Sequence, residues 1–269
     1  MEEVFNRIIE YYSMIDVSII ILTRNRKLLL QDCLNSLVNN LKNLSYEIIV
    51  VDNASTDDSA QVANNFAKAT LIKNKKNLGV AAGRNLGIHR AKGDFIVFLD
   101  DDTYITEDPF SKIIEFMRKD KDVGIIGPKI LYPNGNLQES VRSFPTPISV
   151  FWRGTFLHKI FPNTNFYKNY ILKDFNHQEI KEIDWVLGAC QFIRKEVFET
   201  IGFLDEKFFF GYEDIDFCFR AKKKGWKIVY YPFSSIYHYY ARESAKGLLN
   251  KPKLEHLKSI LRFFYKNIF

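Results

Sequence analysis

Cysteine is scarce in this 269-residue chain: Cys33, Cys190 and Cys218, odd in number and far apart. That spacing offers neither a disulfide framework nor a thiolate metal site, and it points to a reducing compartment. No apolar run approaches the roughly 18 residues needed to cross a bilayer. The start, Met1-Glu2-Glu3-Val4, lacks the basic stretch followed by an apolar one that marks a secretory leader. No dense basic stripe carries interleaved aromatics, so nucleic acid is a poor partner. There is also no internal repeat, low-complexity tract or linker. The expectation is a cytoplasmic protein folded as one domain. What is plentiful is apolar and aromatic, 46% and 15% of residues, which suffices for a sizeable core. A net charge of +6 fits an anionic substrate, a membrane surface or an ordinary solvated exterior.

The first hundred residues alternate in period. Val17–Leu22 is a continuous β-branched run, typical of a strand covered on both faces. Leu30, Leu34, Leu37, Val38 and Leu41 follow at helical spacing. Ile48–Val51 is a second buried strand closing on Asp52-Asn53, with Ser55 as cap of a helix whose first turn holds Asp57 and Asp58. Residues 71–72 suggest a third strand, 79–91 a helix and Phe95–Leu99 a fourth strand. Such alternation predicts an α/β fold with a mostly parallel central sheet flanked by helices. Ligands then sit beyond the carboxyl ends of the strands. The second half is less regular. Tyr132–Lys181 reads as loops and short elements of a substrate pocket, and long connections of this kind are usually functional or mobile. Pattern returns at Asp184–Arg194, in short helices at Glu196–Ile201 and Glu213–Lys224, and in a last strand at Trp226–Tyr231.

Three adjacent carboxylates, Asp100-Asp101-Asp102, end the fourth strand. Strand alternation would send Asp100 and Asp102 to one face and Asp101 to the other. Anions this close repel unless a cation or a hydrogen-bond network holds them, so a divalent-metal site competes with a simple Asp-rich turn. Asp52 is either a nucleobase acceptor or the cap of its own turn. Thr23 and Arg24, after the first strand, converge on the same edge and could contact base or phosphate; Asn53 either joins them or starts the next helix. Gly79, Gly83 and Gly87 suit either a helix N-terminus close to phosphate or tight packing on the sheet, and Arg84 either a diphosphate donor or a solvated arginine. In Glu213-Asp214-Ile215-Asp216 a helix separates Asp214 from Asp216 by about 200°. Asp214 then shares the inward face with Phe217 and Cys218, and Asp216 looks outward or caps. The acidic turn suits either a general base or a complement to the helix dipole.

Six segments in order resemble family-2 glycosyltransferases of the GT-A fold, in particular the rhamnosyltransferase-like branch. They are VSIIILTRNR (17–26), IIVVDNASTDDS (48–59), NLGVAAGRNLGI (77–88), GDFIVFLDDD (93–102), the stretch WVLGACQFIRKEVFETIGFLDEKFFFGYEDIDFCFRAKKKGW (185–226) and SIYH (235–238). The resemblance implies a GT-A domain over 1–269, with a nucleotide-sugar half at about 15–103, an acceptor half at about 104–240 and a helical extension at 241–269. It implies inverting transfer of one sugar, rhamnose among the candidates, from a UDP- or dTDP-sugar to a glycan or lipid-linked acceptor. Mg2+ or Mn2+ would be held by Asp102 and His238. Asp100, Asp101, Asp52, Asn53, Thr23, Arg24, Gly79 and Arg84 would serve the donor. Asp214 would be the base with Glu213 as its understudy, and Trp185, Gly188 and Ala189 would line the acceptor side. The run after His238, Tyr239-Tyr240-Ala241-Arg242-Glu243-Ser244, departs from many relatives, which place a small residue and a Ser there. A sugar-phosphate nucleotidyltransferase and an inactive nucleotide-sugar-binding protein are the rival readings. Near the C-terminus Leu254, Leu257, Leu261, Phe264 and Ile268 share one helical sector beside Lys258, Arg262 and Lys266. Such a basic amphipathic helix docks on its domain or lies on an anionic membrane.

Overall fold

A computed structural model describes residues 15–240 and 251–267. The strands are β1 (Val17–Thr23), β2 (Tyr46–Asp52), β3 (Ala69–Lys73), β4 (Phe95–Asp100), β5 (Thr103–Tyr104), β6 (Val123–Leu131), β7 (Leu137–Gln138), β8 (Val141–Arg142), β9 (Lys181–Glu182), β10 (Trp185–Val186), β11 (Cys190–Arg194) and β12 (Lys227–His238). The helices are α1 (Lys27–Asn40), α2 (Ser59–Asn64), α3 (Val80–Arg90), α4 (Phe110–Lys119), α5 (Pro147–Gly154), α6 (Leu157–Ile160), α7 (Asn165–Ile171), α8 (Lys195–Ile201), α9 (Glu213–Lys223) and α10 (Lys251–Asn267).

The main sheet runs β3-β2-β1-β4-β11-β6-β12-β5. Its first four strands are parallel, and β11 is antiparallel to both β4 and β6. The chain walks from β1 outward to β3, then returns to place β4 on the other side of β1. That reversal is a topological switch point, where an open α/β sheet binds ligands. Register brings Thr23 beside Asp52 and Leu22 beside Asp100, so three strand ends meet there.

Both sheet faces are covered, which explains the unbroken apolar strands. Ile19, Ile21, Val50, Val97 and Phe192 fill one core, and Ile20, Ile49, Phe98, Ile193 and Phe217 fill the other. On the second face α3 lies tight against β1. A Cβ on Gly83 would come within 2.5 Å of Leu22, and one on Gly87 within 2.5 Å of Ile20. These glycines therefore serve packing.

Several expectations change. The strand stops at Asp100, and Asp101-Asp102 form a turn, so alternation does not sort the triplet. Ser55 does not cap α2; the helix starts at Ser59 behind Asp58, and the Ser55 hydroxyl accepts from the Asn25 backbone N–H. β12 continues past Pro232 to His238, with a register shift between Tyr231 and Ser235 that absorbs the proline. The segment 132–181 is made of loops and short elements as expected, three of them helices. Asp216 is fully buried, not outward, because α10 covers it: Arg220 Nε donates to it at 2.9 Å, Lys266 Nζ at 3.0 Å and Asn267 Nδ2 at 2.9 Å. Ala241 to Ser244 and Ile268 lie outside the described residues.

Candidate active site

The turn after β4 and the end of β12 build one cluster. Strand pairing sets His238 opposite Thr103, and Tyr239 N–H donates to the Asp102 carbonyl at 2.9 Å. The imidazole thereby lands on the triplet, with Nε2 3.1 Å from Asp102 Oδ1. One ligand atom each from Asp100, Asp102 and His238 lies within 4.8 Å of the others. Two carboxylates and an imidazole are a donor set suited to Mn2+ or Mg2+, so these residues fit such an ion. His238 Nδ1 lies 2.7 Å from Gln138 Oε1, a contact that fixes the ring with Nε2 turned into the cluster. The sequence reading missed Gln138, since a glutamine on a two-residue strand gives no local signal.

It also passed over Arg26 in favour of Arg24. Arg24 is exposed, whereas Arg26 Nη1 reaches Asp102 Oδ2 at 2.8 Å and Asp101 Oδ1 at 3.4 Å. Asn25 takes a left-handed φ of 55°, and its Oδ1 accepts from Thr56 N–H at 2.7 Å. This ties the β1 loop to the β2 loop and aims Arg26 at the acids. An Asn, among the non-glycine residues most tolerant of that conformation, was the available sign. Burial works against ionising Asp102, but His238 and Arg26 more than offset it and hold the carboxyl at about 2. Burial pushes Asp101 up to about 7 against the pull of Arg26.

The second acid set stands at the start of α9. Asp214 Oδ2 accepts from Gly188 N–H at 2.9 Å and Oδ1 from Ile215 N–H at 2.9 Å. A Cβ on Gly188 would sit 2.9 Å from Arg84 and 3.2 Å from Asp214, so a side chain there would push on both. Glu213 Oε2 is buried without a partner, and burial together with Asp214 pushes its carboxyl up to about 8, opposed by Arg84. Burial likewise raises Asp214, opposed by its backbone N–H donors and Arg84. Arg84 joins the two sets. Its Nη2 donates to Asp100 Oδ1 at 2.9 Å and to the Gly188 carbonyl at 2.8 Å, and Nη1 lies 3.6 Å from Glu213 Oε1. It is buried, not solvated. Ala189 contributes its carbonyl, which accepts from Asp100 N–H at 3.0 Å.

At the donor edge Asp52 is fully buried. Its Oδ1 accepts from Ser55 N–H at 2.9 Å while Oδ2 has no partner. Thr23 is likewise buried, and its hydroxyl acts on the Asp101 carboxyl against the effect of burial. Asn53 spends its amide on Asn77, the Gly79 carbonyl and Leu78 N–H, organising the loop before α3. Gly79, at φ 85°, abuts Phe209, whose carbonyl takes the Val80 N–H. Trp185 lies in the core, its indole N–H on the Ser143 carbonyl at 2.9 Å.

The raised acids set a pH dependence. Glu213 moves from 4.5 to about 8 and Asp101 from 3.8 to about 7, so over that interval the unfolded chain holds fewer protons than the folded one. Stability of the metal-free protein is expected to fall as pH rises from 5 to 8, and Glu213→Gln should flatten the slope. Urea unfolding in chelator at several pH values measures this; a midpoint rising with pH would contradict it.

Among solved structures, GalNAc-T7 with UDP, GalNAc and Mn2+ matches at a TM-score of 0.70 over 94% of this chain and 48% of its own, at 17% identity. The likeness is one of fold, the GT-A arrangement of glycosyltransferases. The low-salt glycan biosynthesis hexosyltransferase Agl10 of Haloferax volcanii is 29% identical over 66% of this chain and 54% of its own length. The N-acetylglucosaminyl-diphospho-decaprenol L-rhamnosyltransferase of Mycobacterium tuberculosis is 24% identical over 74% and 68%. The chain thus spans about half of the hexosyltransferase and of the solved neighbour. Residues 18–202 match the model of glycosyl transferase family 2, and the chain belongs to that family.

Proposed function

We propose that this chain is a divalent-cation-dependent, inverting glycosyltransferase. It moves one sugar from a uridine or thymidine diphosphate donor, dTDP-rhamnose among the candidates, to a hydroxyl of a glycan or lipid-linked acceptor. The observation that carries the reading is the pairing of two acid sets through Arg84: Asp100, Asp102 and His238 on one side, Glu213 and Asp214 on the other. Asp102 and His238, with Asp100 beside them, would hold Mg2+ or Mn2+. Such a cation, when bound, supplies positive charge against the diphosphate leaving group.

The chain's own residues do the rest. Asp214, held by two backbone N–H groups, takes the proton of the attacking hydroxyl. Its elevated basicity suits a base in a nearly dry cleft. A single displacement inverts the anomeric centre because base and leaving group occupy opposite sides of it. Asp52 Oδ2, buried and without a partner, accepts the imide N–H of uracil or thymine. Thr23 and Arg24 border that pocket, and Asn53, Gly79 and Asp101 keep its loops in place. Gly188 and Ala189 flank the acceptor at the base. The mycobacterial relative is named for a diphospho-decaprenol acceptor, which supports a lipid-linked one here.

The test is release of nucleoside diphosphate from a panel of UDP- and dTDP-sugars, with Mn2+ and with chelator. Release from one donor that the chelator abolishes is expected. Pyrophosphate formed from a nucleoside triphosphate and a sugar phosphate would replace this reading with nucleotidyl transfer. Thermal stabilisation by a sugar nucleotide without any release would replace it with binding alone.

A further inference from the structure

The helices of the 132–181 segment leave large apolar side chains in water. Ile148 and Phe151 on α5, and Phe156 and Ile160 at α6, are each more than half exposed. The Trp152 ring meets Phe166 at 5.0 Å and Phe161 at 6.3 Å between centroids, which holds the three short helices together. Helix α10 is apolar on two sides. Ser259, Phe263 and Phe264 are buried, with Phe263 against Tyr212 and Phe219, and Arg262 and Lys266 bond Asp205. The opposite stripe, Leu254, Leu257, Leu261 and Tyr265, recurs every three or four residues and faces solvent. The helix therefore docks, but of the described members of the apolar sector that the sequence suggests only Phe264 is buried, while its leucines face solvent. The two regions are joined through α9: the Phe219 ring lies 5.0 Å from that of Phe144, three residues before α5, and 5.8 Å from that of Phe263 of α10, while His256 of α10 is 5.4 Å from the Tyr212 ring. Tyr212 immediately precedes Glu213.

Exposed apolar surface of this kind marks an interaction site. Charge identifies the partner. Residues 140–173 contain five Lys or Arg and no Asp or Glu, in a chain with 38 basic and 32 acidic residues. Helix α10 carries five Lys or Arg against one Glu, although Arg262 and Lys266 are taken by Asp205 and Lys258 by Glu255. Excluding acids over so long a stretch suits a negatively charged plane. No described helix is long and apolar enough to cross a membrane, so contact would stay at the interface.

We infer that α5, α6 and the outer stripe of α10 form one face that docks on an anionic bilayer, next to the Glu213–Asp214 pair. Docking there would set the acid pair beside a lipid-borne hydroxyl. The inference stands apart from the transfer reading, since it is read by binding alone.

Co-sedimentation of the full chain with phosphatidylglycerol-containing and pure phosphatidylcholine vesicles tests it. Binding to the anionic vesicles, weakening as salt rises, is expected. Phe151→Glu/Phe156→Glu and, separately, Leu257→Glu/Leu261→Glu should each lower the partition by ~10-fold or more while leaving the melting temperature and donor hydrolysis unchanged. No binding to anionic vesicles, or binding that both variants retain, overturns the inference. Concentration-dependent self-association that the variants abolish, without vesicle binding, overturns it in favour of a second copy of the chain.

Discussion

Asp214→Asn is expected to cut sugar transfer by about 10²- to 10⁴-fold, the range a positioned general base contributes, while donor and Mn2+ still bind. Asparagine is the informative change. Its single oxygen can still accept the Gly188 N–H that Asp214 Oδ2 now takes, and only the Ile215 N–H loses its acceptor. What disappears is the anion able to receive a proton. Alanine would also strand a buried N–H and mix folding with chemistry. Turnover at saturating donor and calorimetric donor binding, both in Mn2+, separate the two effects. Glu213→Gln is the control, because the neighbouring carboxyl has an unpartnered Oε2 and is likewise raised by burial. Full activity in Asp214→Asn with loss in Glu213→Gln would transfer the role to Glu213.

Arg84→Met is expected to destabilise the fold by about 3–5 kcal/mol, the cost of removing one partner from a buried ionic network. Arg84 is 4% exposed and satisfies Asp100 and the Gly188 carbonyl while standing 3.6 Å from Glu213. Methionine fills the space against Phe98, over which the guanidinium sits at 5.0 Å, but leaves the carboxylates facing one another. The loss should be larger at pH 8 than at pH 5. At the lower pH Glu213, with its carboxyl at about 8, is protonated and needs no counter-charge. Urea unfolding at both pH values reads this. A cost below about 1 kcal/mol would place Arg84 with ordinary surface ion pairs and remove it as the bridge between the acid sets.

Much of the fold was legible because it is written locally. The runs at 17–22, 48–51 and 95–99 match strands within one or two residues, since strands buried on both faces must be apolar throughout. The Asp100–Asp102 run and the Glu213-Asp214 pair stand out as acids at element ends, and the six family segments single out the same positions. What misled was local reasoning applied where distant chain decides. The local pattern suggested a last strand ending at Tyr231, yet pairing with β6 resumes at Ser235. Helical spacing alone sent Asp216 to solvent, yet Lys266 and Asn267 arrive from fifty residues away to bury it.

By itself, then, the sequence determined the α/β alternation, the family and the two acidic stations, because periodicity and short motifs act over a few residues. Tertiary structure alone decided that Arg26 rather than Arg24 meets the acids, that Gln138 orients His238, and that Arg84 is buried between the two stations. Those contacts span many tens of residues and follow from strand register and loop closure, such as His238 opposite Thr103, which no local pattern encodes.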